Sequence, residues 1–165
     1  MSRLRLAIDQ IVFVRNYTIG LLDQIPTEEW FRMPAGHVSH IGWQVGHLAC
    51  AEYRLALWRL RSERTEDTLL LPEHFQPLFG WDSVPDPDPA KYPSQAETRA
   101  TLDRIHEQVL REVSALNEDE LDYPVPHPSP FAKTKLTALL WCSHHEMLHA
   151  GQIGLLRRQL GHPPL

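Results

Sequence analysis

The sequence predicts an all-α fold, a four-helix bundle with a long crossover between its second and third helices. Three observations carry this. Four stretches repeat their apolar residues every three or four positions, prolines gather in the connections between them, and no stretch shows strand alternation. Helices without strands can bury their apolar stripes only against one another.

The first helix is expected from Leu4 to Ile25, with Leu4, Ile8, Ile11, Val14, Thr18, Leu21 and Ile25 on one stripe and Pro26 at its exit. The second should begin after Ser39, a residue suited to an N-cap, and run through Trp43, His47, Cys50, Arg54 and Leu57 to Arg61. From Glu63 to Pro93 the prolines at 72, 77, 85, 87, 89 and 93 forbid a regular helix. Phe75, Phe79, Trp81 and Tyr92 make the same stretch too apolar for a solvated linker, so it reads as a crossover packed over the helices. Ser94-Gln95-Ala96-Glu97 matches a capping box that opens the third helix, whose buried stripe is Leu102, Ile105, Val109, Val113 and Leu116. A second proline-rich connection, Pro124 to Pro130, leads to the fourth helix. Thr134 caps its start, and Gly161 followed by Pro163 and Pro164 ends it.

A chain of 165 residues is the length of a single domain, here 1–165, and can bury a core without disulfide support. The net charge of -5 and the scattered arginines disfavour nucleic acid as a partner. Asp9, Gln10 and Arg15 interrupt the N-terminal apolar run too early for a secretory signal, and no window has the length of a membrane span. Cys50 and Cys142, without an export signal, point to a reducing cytoplasm.

The chemistry concentrates in histidine. His145-Glu146-Met147-Leu148-His149 places two imidazoles four residues apart on one helical face, a spacing at which both can reach a single metal ion. By helical steps that face also carries Trp141, Cys142, Gln152 and Leu156 and is read as core-facing. Imidazoles turned into a core need a partner. His47, between Trp43 and Cys50 on the face of the second helix, is the best third ligand. Three neutral histidines leave a tetrahedral ion one open position, as in catalytic sites. His40 lies two turns before His47, roughly 10 Å by helical rise, and cannot share its ion. His144 is turned away from His145 towards a surface or interface role. His37, His74, His106, His127 and His162 have no spacing partner and default to structural or exposed positions.

The segment Trp43-Gln44-Val45-Gly46-His47-Leu48-Ala49 with Glu52, together with His145 to His149 and Ala150-Gly151-Gln152-Ile153, resembles the DinB/YfiT-like superfamily of four-helix-bundle metalloenzymes. The resemblance spans nearly the whole chain. It implies an up-down-down-up topology, a zinc or nickel ion held by His47, His145 and His149, and frequent homodimerisation. Relatives of that kind include bacillithiol transferases and mycothiol-dependent maleylpyruvate isomerase, in which a metal activates the sulfur of a low-molecular-weight thiol.

The resulting expectation is a metal-dependent transferase, isomerase or hydrolase acting on a small molecule. Glu146 and Glu52 are its candidate catalytic groups, and with Gln152 they are candidates to orient a ligand imidazole or shuttle a proton. Trp43, Trp81 and Phe79 are candidate pocket walls. Ligation needs neutral imidazoles, so affinity is expected to fall below about pH 6.5.

Two other classes compete. The same five residues spell the H-E-x-x-H protease signature, but only sixteen residues follow His149, none acidic, and Gln152 occupies the glycine position of the extended motif. The other is a non-catalytic, metal-stabilised bundle serving assembly. Gly42, Gly46, Gly151 and Gly154 lie inside helices, where each costs roughly 1 kcal/mol against alanine and is read as permitting close approach. If the second and fourth helices run antiparallel, Cys50 and Cys142 share a layer beside the metal. They then either fill space there, form a reversible disulfide or touch the site through sulfur.

Overall fold

The computed structural model describes residues 2–36 and 38–165, and they form a mostly helical fold with one small two-stranded sheet. His37, one of the unpaired histidines, lies outside the described residues.

Helix α1 spans Arg3–Leu22 and is capped by Ser2, whose hydroxyl accepts from the Arg5 amide at 3.1 Å. Ala7, Ile11, Val14, Thr18 and Leu21 form its buried stripe. It ends three residues before the expected Ile25. Ile25 precedes Pro26, whose ring disfavours helical geometry in the residue before it, and the buried Arg157 guanidinium donates to the Leu21 carbonyl at 3.3 Å and to Gln24 Oε1 at 2.7 Å.

Helix α2 begins as the α-helix Ile41–Glu52, widens into a π-helical stretch Tyr53–Trp58 and closes with Arg59–Arg61. Its cap is His40 rather than Ser39: the ring Nδ1 accepts from the Trp43 amide at 3.0 Å, while the Ser39 hydroxyl accepts from the Gln44 side-chain amide at 2.9 Å. The crossover that follows contains the short helix α3, Phe75–Phe79, whose Phe75 and Phe79 are fully buried.

Helix α4 spans Gln95–Ser114, with Thr98, Leu102, Ile105, Val109 and Val113 buried. Ser94 caps it at 3.1 Å from the Glu97 amide, but Glu97 does not complete the box; its carboxylate lies 3.2 Å from His74 Nε2. Helix α5 spans Lys135–Gln159 and starts on the Thr134 cap as expected.

The connection before α5 corrects the expectation of no strands. Strand β1, Pro124–Ser129, pairs antiparallel with β2, Ala132–Thr134. Prolines at 124, 126 and 128 cannot donate to a ladder and hide the strand pattern in the sequence. On an edge strand of a two-stranded sheet, however, their nitrogens need no partner.

In three dimensions α1 lies along α5 and α2 along α4, and α2 also meets α5. Leu22, Ile41, Leu48, Leu57, Leu102, Leu139 and Ile153 belong to one contiguous core between them. Among the described residues no helix is long and apolar enough to cross a membrane.

Candidate metal centre

Gly46 and His47 build the first wall of the site together. Phe79 lies directly on Gly46, so closely that a Cβ there would meet the ring at 2.4 Å. That approach brings the Phe79 carbonyl to 2.8 Å from His47 Nδ1. A carbonyl can only accept, so Nδ1 carries the proton and Nε2 keeps its lone pair. Trp43, one turn earlier, stacks on the His47 ring at 4.8 Å with planes 12° apart and fixes its orientation.

The second wall is α5. His149 Nδ1 sits 2.6 Å from Gln44 Oε1. Gln44 donates its own amide to Ser39, which leaves its oxygen as the acceptor and gives His149 the same tautomer as His47. His145 completes the group, its ring centroid 5.4 Å from that of His47 and 4.6 Å from that of His149, which also lies 4.6 Å from that of His47. Its Nδ1 is buried and has no protein partner among the described residues.

One ring nitrogen from each of His47, His145 and His149 lies within 4.8 Å of the other two. Burial lowers the basicity of His47 despite the Phe79 carbonyl. Burial and the neighbouring rings lower His145 to about 4 and His149 to about 3. All three are therefore neutral near pH 7, and the proton competition expected at about pH 6.5 moves to more acidic solution. Three uncharged imidazoles with ring nitrogens gathered at one volume, two with their far nitrogens pinned by oxygen acceptors, form a donor set that could hold a metal ion.

The other expected groups take different places. Glu52 and Glu146 are buried and both bond Arg15, at 2.7 Å and 2.8 Å; neither joins the imidazole cluster or bonds a ring in it. The oxygens that orient the imidazoles come instead from Gln44 and the Phe79 backbone. Gln152 is exposed, and so is His144. Cys50 and Cys142 are free, buried thiols outside the cluster, and burial pushes Cys50 up to about 12 and Cys142 up in the same direction. Trp81 is 77% exposed and walls nothing. Trp141 presents its ring to His145 at 6.3 Å and is itself covered by Phe131 from the hairpin, stacked at 4.5 Å.

Of the remaining histidines, His40 caps α2, His106 bonds Glu52 at 2.8 Å, His127 stacks on Trp58 at 3.9 Å and His162 bonds Glu29 at 2.6 Å. Two functional neighbours escaped the sequence reading. Gln44, a buried polar residue one turn before His47, was legible in principle; the Phe79 carbonyl, a backbone group from a distant segment, was not.

The family model of the DinB superfamily matches residues 10–153, and the chain belongs to that superfamily. Among solved structures, that of a conserved protein from Enterococcus faecalis superposes with a TM-score of 0.73 over 96% of this chain and 97% of that one, at 16% identity. At that identity the likeness is one of fold. A comparison with curated proteins finds no match.

Proposed function

We propose that the chain is a metal-dependent enzyme of the DinB type, a thiol-dependent transferase or isomerase or a hydrolase, acting on a small molecule through His47, His145 and His149. One observation carries the reading: three neutral imidazoles from two helices converge within 4.8 Å, and two hold their second nitrogens on oxygen acceptors. A zinc or nickel ion bound there would supply Lewis acidity to a thiol sulfur or a water in its open position. The protein's part is orientation. Phe79 and Gln44 hold two rings in one tautomer, Trp43 fixes the plane of His47, and Trp141, stacked under Phe131, packs edge-on to His145.

Glu52 and Glu146 belong to this proposal as groups that hold helices rather than as proton carriers, because Arg15 and His106 occupy their oxygens. The same pairing speaks against Glu146 as the free base that a protease reading requires. The up-down-down-up order is supported by α1 lying along α5 and α2 along α4. Homodimerisation is supported by exposed apolar residues on both helices, Leu6, Phe13 and Tyr17 on α1 and Leu148 and Leu155 on α5, with Gly151 open between the latter two. Free cysteines suit a cytoplasmic setting.

Elemental analysis of purified protein and of His149→Ala tests the centre, with about one equivalent of ion expected in the first and a clear loss in the second. Undiminished metal in the variant removes His149 from the ligand set. A panel of low-molecular-weight thiols and electrophiles then tests the chemistry. Full occupancy without turnover would favour a metal-stabilised assembly module.

A further inference from the structure

A single side chain of α1 is bonded to all three of the other long helices. The Arg15 guanidinium, 3% exposed, donates from Nε to Glu146 Oε1 at 2.8 Å and from Nη2 to Glu146 Oε2 at 3.0 Å, both on α5. Its Nη2 also reaches Glu52 Oε2 on α2 at 2.7 Å, and Nη1 reaches the Leu102 carbonyl on α4 at 3.3 Å. The second Glu52 oxygen lies 2.8 Å from His106 Nδ1, again on α4. Burial opposes the charge of Arg15, but the two carboxylates more than reverse that effect and keep its pKa above the ordinary arginine value.

The two carboxylates sit beside the imidazole cluster in sequence. Glu146 follows His145 directly, and Glu52 ends the α-helical part of α2 that carries His47, just before the π-helical stretch. Buried ion pairs return little net stability, because desolvation offsets their attraction, but they do fix which groups face one another. A planar guanidinium that takes one carboxylate with two donors and another with a third fixes their separation and their plane together. Resting on the metal reading above, we propose that Arg15 is a positioning residue, which holds α2 and α5 at the spacing that lets His47 meet His145 and His149.

The test is a titration of metal-free protein with Co²⁺, followed by its optical spectrum, beside thermal unfolding of the same samples. Arg15→Lys keeps the charge but not the fork. It is expected to weaken Co²⁺ binding about 10- to 100-fold and to change the ligand-field bands. Arg157→Lys is the control for ordinary destabilisation. That arginine is equally buried on α5 but bonds the end of α1 at Leu21 and Gln24, so its variant should melt earlier with Co²⁺ affinity unchanged.

A folded Arg15→Lys that binds Co²⁺ within about twofold of the parent overturns the proposal, with that margin set well inside the effect of losing an orienting contact. If Arg15→Lys does not fold, Arg15→Met combined with Glu52→Gln and Glu146→Gln removes the charges together. Weakened binding in that folded variant supports the proposal, and parental affinity overturns it. Failure of the metal reading looks different: the parent takes up no Co²⁺, or His149→Ala binds as well as the parent, and the proposal then falls with it.

Discussion

At position 40 an imidazole performs a backbone task. His40 accepts the Trp43 amide, is edged by Phe31 at 5.4 Å and Tyr92 at 4.9 Å, and is lowered by burial to about 4. Unfolded histidine takes its proton near pH 6.5, whereas the folded ring stays neutral to about 4. Between those values the unfolded state binds more protons, so stability falls as the pH drops, by up to about 1.4 kcal/mol per pH unit for one such ring. In metal-free protein His145 and His149 act in the same direction. His40→Asn keeps a capping acceptor and should lose less stability between pH 7 and pH 5 than the parent, read by urea unfolding; equal losses would assign the acid sensitivity to other groups. The candidate pair His145 and His149 was legible because four-residue spacing is a local property of a helix. Arg15 showed in the sequence only as a break in an apolar run, since its partners come from three other helices.

Among the elements, α2 and the short α3 are joined by the absence of a side chain. Gly46 leaves the space that the Phe79 ring fills, and through it the Phe79 carbonyl reaches His47. Gly46→Ala must push that ring aside, and we expect it to cost about 1–3 kcal/mol despite the better helix propensity of alanine. Gly154→Ala should be neutral or stabilising, because its Cβ would make an ordinary 3.7 Å contact with Leu21. Thermal melts of the two variants check this, and equal behaviour would deny Gly46 its role. The expectation that all four helical glycines serve close approach therefore holds at Gly42, where a Cβ would meet Phe31 at 2.4 Å, and at Gly46, but not at Gly151, which faces open space. Helix positions were readable from periodic stripes and from caps such as Thr134. The hairpin was not, because alternating prolines remove the donors and the composition by which a strand is recognised.

For the whole molecule, the surface question is what covers the α1 and α5 stripes. Leu148 is 59% exposed and Phe13 64% exposed, each flanked by further apolar residues on its own helix. If two copies meet there, Leu148→Glu should convert a dimer to a monomer in light scattering without loss of helicity; a parent that is already monomeric at tens of micromolar would end that reading. The division of labour within the chain also sets a cost for change. His47 leans on an oxygen that belongs to the crossover, not to the bundle, so the longest connection between helices is stitched to the three-histidine cluster. Mutations in residues 75–83, far along the chain from all three histidines, would then act on the cluster by retuning one imidazole, and natural variation in that loop offers a route for altering its affinity for an ion while the scaffold stays as it is.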